Sequence, residues 1–159
     1  MSAAGAAARV GALLAARGER VAVAESSAGG LVSARLLGVA GASAYFLGGG
    51  VVYTAAARQG LLGISPEDLA GMRPSTEAYA ALMAERVRQR LGADWGLAET
   101  GATGPSGNRY GDAAGHACLA VAGPISLVRT LETGSPDREA NMEAFAEAAL
   151  LLLESALSR

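Results

Sequence analysis

Two short, unbroken apolar runs, Val21–Ala24 and Trp95–Ala98, constrain this chain more than anything else in it. Runs of four apolar residues with no polar alternation read as strands buried on both faces, the kind that forms the parallel part of α/β sheets. Each run leads into a segment of hydroxyls and glycines: Ser26-Ser27-Ala28-Gly29-Gly30 after the first, Thr100-Gly101-Ala102-Thr103-Gly104-Pro105 after the second. In open α/β sheets, ligands collect at the carboxyl ends of strands, and both segments would sit there.

The rest of the chain supplies elements to flank such a sheet. Ala3 to Ala16 carries Val10, Leu13 and Leu14 at helical spacing and stops at Arg17-Gly18, a basic last turn with a C-cap glycine. Leu31 to Leu37 reads as a helix ended by Gly38. Tyr45 to Tyr53 is β-rich but interrupted by Gly48-Gly49-Gly50, which predicts a bulge or two short strands with something close to that backbone. Thr54 is placed to cap a helix over Ala55 to Leu62. Ser75 then opens a long amphipathic helix to Leu91, with Leu82, Met83, Val87 and Leu91 as its core face. Thr100 falls in a loop that begins at Glu99. Ala114 to Ala122 and Ile125 to Leu131 form a hairpin around Gly123-Pro124, and Asp137 starts a final helix ending near Leu157. This order predicts one α/β domain over residues 1–159, a mixed sheet sandwiched by helices.

Composition removes several function classes. The net charge of -2 and pI near 5.4 offer no basic field to attract a phosphate backbone, so no nucleic-acid partner is expected. No apolar run approaches the roughly 18 residues of a membrane span, so no membrane partner is expected either, and the protein is expected to be soluble and cytoplasmic. All 13 basic residues are arginine. The single cysteine, Cys118, excludes an intramolecular disulfide and a multi-cysteine metal site, and its apolar neighbours read as core.

Common catalytic signatures are absent: no Walker A lysine, no G-x-G-x-x-G after a strand, no G-x-S-x-G elbow. The one histidine, His116, lies in a strand between Gly115 and Ala117, where a packed or solvent-facing role competes with that of a base. What remains is a serine at the start of a helix. Backbone amides there could hold a phosphate or an oxyanion, with Gly29 and Gly30 allowing close approach; alternatively Ser26 or Ser27 simply caps the helix.

Several segments occur together in a familiar order: Ala24 to Gly30, Gly41-Ala42-Ser43-Ala44-Tyr45-Phe46, Gly49-Gly50-Val51-Val52-Tyr53-Thr54, Leu61-Leu62-Gly63-Ile64, and Thr100 to Pro105. Over roughly residues 5 to 157 the chain resembles the CinA C-terminal domain family, and within it the nicotinamide mononucleotide deamidases, here standing alone rather than fused to the CinA N-terminal domain. The resemblance implies a three-layer α/β/α domain, usually a homo-oligomer. It also implies hydrolysis of the carboxamide of nicotinamide mononucleotide to nicotinate mononucleotide and ammonia, with a small-molecule nucleotide as substrate and neither metal nor cofactor. The family's nucleophilic serine falls on Ser26, its active-site tyrosine on Tyr53, its lysine on Arg58 and its loop-opening hydroxyl on Thr100. Ser27, Gly29, Gly30, Gly101, Gly104 and Arg138 fall on substrate-binding positions.

The departures from the family pattern are concentrated near the same places. Ala28 stands for threonine, Ala55 and Ala56 for Asn-Glu, Arg58 for lysine, Gly71-Met72-Arg73-Pro74-Ser75 for a Gly-Ala-Val-Ser segment, and His116 for threonine. Arginine cannot take a serine's proton, because its guanidinium keeps its charge, but it can stabilise an oxyanion or grip a phosphate. Two alternatives therefore stand beside the deamidase: a nucleotide-binding family member without turnover, and a serine amidase acting on a different small substrate.

Overall fold

The computed structural model describes residues 3–159, so the first two residues of the expected domain lie outside it. Five strands form one sheet in the order β2-β1-β3-β4-β5. β1 (Val21–Glu25) pairs in parallel with β2 (Phe46–Val51) and β3 (Trp95–Ala102); β4 (His116–Ala122) and β5 (Leu127–Glu132) continue the sheet antiparallel. Every residue of β1 is buried, as its unbroken apolar run requires. The sheet is mixed and helices cover both faces, as expected.

One face carries α1 (Ala3–Arg17), α2 (Leu31–Leu37) and the C-terminal helix α6 (Arg138–Leu157), which pack on Val21, Val23, Trp95, Leu97 and Leu119. The other face carries α3 (Ala55–Leu62) and α5 (Glu77–Leu91), against Ala22, Ala24, Ala98 and Ala120. A short helix α4 (Pro66–Leu69) precedes α5. The alternation of strand side chains thus sorts large residues to one face and alanines to the other. Small residues let α5 come close: a Cβ on Gly96 would lie 2.0 Å from the Ala84 carbonyl oxygen.

Several local expectations hold. Thr54 caps α3 by accepting from the Ala57 amide, Asp137 caps α6, and Leu47 is skipped between the pairs Val21↔Phe46 and Ala22↔Gly48, a bulge in one strand rather than two strands. The close neighbour of the glycine run is the Val23 carbonyl oxygen, 2.4 Å from where a Gly49 Cβ would be.

Four expectations are corrected. The cap of α5 is Thr76, whose side chain accepts from the Tyr79 amide; Ser75 adopts a left-handed backbone, φ 63°, unlike the extended backbone of an N-cap. The buried face of α5 is Tyr79, Ala80, Met83, Ala84 and Val87, while Leu91 is 44% exposed and Leu82 only partly buried. Thr100 and Gly101 belong to β3 rather than to a loop, because β4 pairs with β3 as far as Ala102↔His116. His116 is accordingly the first residue of β4, not its middle.

Two glycines test this packing. Gly96→Ala should lower stability by about 2 kcal/mol or more, because the added methyl meets backbone that cannot move without shifting α5. Gly60→Ala, within α3 and facing open space, should raise stability by about 0.5 to 1 kcal/mol. Urea unfolding midpoints measure both.

Candidate active site

The site is built on the paired ends of β1 and β3. Ala24 lies opposite Ala98, so the next residues, Glu25 and Glu99, point to one side of the sheet and Ser26 and Thr100 to the other. Both glutamates are buried at 1% exposure. Glu25 reaches α2: its Oε1 accepts from the amides of Gly30 and Val32, at 3.1 and 3.0 Å, and its Oε2 from Ser33 at 2.8 Å. Glu99 reaches the turn: its Oε1 accepts from the amides of Ser26 and Ala28, at 2.9 and 2.8 Å, and its Oε2 from the Ser27 hydroxyl at 2.5 Å. Burial pushes the Glu99 carboxyl above its ordinary range, opposed by the hydrogen bonds from Ser27, Ala28 and Ser26 and assisted by the Glu25 charge.

These contacts revise how the turn works. The α2 amides expected to be open to a phosphate or oxyanion are instead largely satisfied by the protein's own carboxylates. Ser27 is held on Glu99 and is not among the cleft-lining residues. Gly29 faces α6, where a Cβ would lie 2.9 Å from Met142 Cε, and Gly30 caps α2 in a left-handed conformation, φ 101°. Neither lines the cleft.

On the other side of the sheet a cleft of about 380 Å³ opens, lined by Ser26, Tyr53, Arg58, Thr100, Arg109 and Tyr110 among others. Tyr53 follows β2 and is 62% exposed; Arg58 comes from α3; Arg109 and Tyr110 come from the loop before β4. Arg58 lies over the Tyr79 ring at 5.8 Å, its Nη1 3.5 Å from the phenol oxygen. Gly101 also lines the cleft, and a Cβ there would lie 2.4 Å from the His116 carbonyl oxygen. Gly104 and Arg138 lie outside the lining but are tied to it: Arg138 Nη1 donates to the Gly104 carbonyl and its Nη2 to the Tyr53 hydroxyl oxygen at 3.4 Å.

The structure therefore brings Ser26, Tyr53, Arg58, Thr100 and Gly101 into one space, with Arg138 reaching Tyr53. Glu25, Glu99, Ser75, Arg109 and Tyr110 escaped the reading of the sequence. A signal for the first two was present: Ala24-Glu25-Ser26 and Ala98-Glu99-Thr100 repeat the same order at two strand ends. Thr100 itself is 2% exposed and accepts from the Ser75 amide at 3.2 Å.

The CinA C-terminal domain family matches over residues 3–157. A CinA-like protein of Anaeromyxobacter dehalogenans is 43% identical over 144 residues, 91% of this chain and 35% of that protein; one from Prochlorococcus marinus is 47% identical over 112 residues, 70% of this chain and 26% of that protein. The chain thus spans about a third or less of the length of these relatives. A CinA superfamily protein from Klebsiella pneumoniae superposes with TM-score 0.92 at 28% identity, covering 99% of each chain. The competence/damage inducible protein CihA from Agrobacterium tumefaciens gives 0.90 at 30% identity, covering 99% of this chain and 96% of that one.

The role of Glu99 has measurable consequences. Glu99→Ala leaves two amides and the Ser27 hydroxyl without their acceptor and should lower stability by about 3 kcal/mol or more; Glu99→Gln keeps a carbonyl oxygen and should cost less. Because the folded carboxyl titrates above its unfolded value, its contribution is fully present below about pH 4.3 and is lost as pH rises through the folded value. Urea unfolding across pH should show that loss in the wild type and a flatter profile in Glu99→Gln.

Proposed function

The chain belongs to the CinA C-terminal domain family, and from that premise we propose that it is an amidohydrolase that deamidates nicotinamide mononucleotide to nicotinate mononucleotide and ammonia, with Ser26 as nucleophile. One observation carries the reading: Ser26, Tyr53, Arg58 and Thr100, the positions matching the family's reacting groups, converge on one cleft at the ends of adjacent parallel strands. Its volume falls in the range of small-molecule sites, about 300 to 1,000 Å³.

In this reading Ser26 Oγ forms a bond to the carboxamide carbon while its proton passes to a base. The tetrahedral adduct then collapses, the C–N bond breaks, and ammonia departs with that proton. Water cleaves the resulting ester, releasing the carboxylate and restoring the hydroxyl. Arg58 supplies fixed positive charge for the oxyanion or the 5′-phosphate, with Arg109 on the cleft wall and Arg138 beside Tyr53 as further phosphate donors. The base falls to Tyr53 or to a bound water. His116 does not line the cleft; its Nε2 is turned to the Ser75 carbonyl.

A specific observation favours the second reading, a nucleotide-binding protein without turnover. No carboxylate, imidazole, thiol or lysine is among the residues that line the cleft, so no conventional base among the described residues faces Ser26.

Ammonia release from nicotinamide mononucleotide, compared with other pyridine nucleotides and simple amides, tests the choice of substrate. Ser26→Ala should lower turnover at least about 100-fold with the fold intact; near-wild-type activity would remove Ser26 as nucleophile. Arg58→Ala should cost about 2 to 4 kcal/mol of transition-state stabilisation, as for a lost oxyanion donor, while Arg58→Lys should change kcat little if charge alone matters and raise it markedly if arginine replaces a lysine base. Calorimetric binding of the nucleotide with no turnover in either wild type or Arg58→Lys would establish the second reading.

A further inference from the structure

Behind the cleft lies a polar cluster that the proposed chemistry does not use. Its centre is His116, 8% exposed at the start of β4. Nδ1 lies 2.5 Å from Glu132 Oε2 on β5, and Nε2 lies 2.8 Å from the Ser75 carbonyl oxygen. A carbonyl oxygen only accepts, and so does an ionised carboxylate. With a carboxylate at Glu132, these two contacts call for a proton on each ring nitrogen, which is the imidazolium form.

Of the other charged and titratable groups around it, Asp112 favours that state. Asp112 Oδ2 lies 3.7 Å from Nε2 and is itself fixed by Arg73, whose Nη1 and Nη2 donate at 2.8 and 3.3 Å, and by Asn108 Nδ2 at 2.8 Å. Cys118 Sγ, 3.7 Å from Nε2, is a buried thiol whose titration burial pushes up; Glu77 on α5 is engaged by the Thr130 hydroxyl. Burial pulls the His116 value down, but its hydrogen bonds to Glu132 and Ser75 and the charges of Asp112 and Glu132 outweigh this, and the net shift is upward.

The Ser75 peptide that His116 holds reaches the cleft directly. Ser75 carries a side chain at φ 63°, a left-handed backbone conformation that is strained without glycine and needs its surroundings to hold it. Its carbonyl accepts from His116, and its amide donates to Thr100 Oγ1 at 3.2 Å. A hydroxyl oxygen that accepts there keeps its own proton for an acceptor elsewhere, and Thr100 lines the cleft. Loss of one ring proton would set a bare nitrogen against the Ser75 carbonyl or against Glu132, and the strained peptide would lose part of its support.

We infer that protonated His116 is a positioning residue, which holds the Ser75 peptide against Thr100 and so aims the Thr100 hydroxyl into the cleft. The claim about Ser75 stands on the geometry alone; its consequence for turnover rests on the deamidase reading. The effect has a sign: support is fully present below about pH 6.5, the ordinary histidine value, and is lost as pH rises through the raised folded value.

Because the chain has one histidine, an untagged ¹⁵N-labelled protein gives an unambiguous test. At pH 5.5 both ring nitrogens should show protonated shifts, with a midpoint above 6.5. The Ser75 amide should titrate with that midpoint and stop titrating in His116→Gln. In the ammonia assay, kcat should fall about three- to tenfold on the alkaline side of the same midpoint with KM little changed, and that limb should vanish in His116→Gln. A midpoint at or below 6.5, or a Ser75 amide indifferent to His116, would overturn the inference. Absence of ammonia at every pH would instead overturn the deamidase reading, and the NMR result would still decide the role of His116.

Discussion

The site depends on two carboxylates buried at the ends of neighbouring strands. Placing Glu25 and Glu99 side by side at 1% exposure is unfavourable in itself, since burial and the Glu25 charge both oppose ionisation of Glu99. The turn after β1 offsets this by donating to them the amides of Ser26, Ala28, Gly30, Val32 and Ser33 and the hydroxyl of Ser27. The exchange is mutual, because amides buried there without acceptors would each cost about 1 to 3 kcal/mol. The N-terminal donors of α2 are therefore largely occupied within the protein, and the positive end of that helix faces fixed acids rather than an incoming anion. Positive charge for a ligand must come from side chains, and arginines line the cleft.

What was legible in the sequence was what neighbours along the chain determine. The unbroken apolar run of β1, the glycine end of α1, the Thr54 and Asp137 caps and the Leu47 bulge all follow from local pattern, and all are present. What distant contacts determine was not legible. Thr100 and Gly101 look like loop because glycine weakens a strand, yet Gly101 is the residue that lets the His116 backbone pass within a Cβ's reach and extends β3. Ser75 looks like a cap, but Thr100 takes its amide and moves the helix start to Thr76. The short helix α4 is a different case: Ser65, Pro66 and Asp68 form a complete capping signature that was there to be read.

The site divides the same way. Ser26 and Thr100 were placed together by the two strand ends, whereas Tyr53 and Arg58 joined them only through family resemblance. Arg109 and Tyr110 reach the cleft because Asn108 folds the loop: its Oδ1 accepts from the amides of Tyr110 and Asp112 while its Nδ2 donates to Asp112. Asp112 in turn anchors Arg73, whose guanidinium also lies 5.1 Å from the Tyr110 ring. The loop that carries Arg109 and the segment that carries Ser75 are thus fastened to each other through one ion pair, and a change in either is felt on both walls of the cleft.

A chain with no lysine has an unusual constraint on pH control. A buried lysine can be brought to titrate near neutrality by desolvation, whereas arginine stays charged under the same pressure. Arg58 and Arg109 supply the positive side chains of the cleft, and no carboxylate among the lining residues offsets them. Neutral-range titration near the cleft is left to a group behind its wall. His116 occupies that place, linked to Asp112 on the loop side and through Ser75 to Thr100 on the strand side. The protonation of one imidazole then bears on where a hydroxyl points rather than on the charge the ligand meets, which separates alignment of the site from attraction into it.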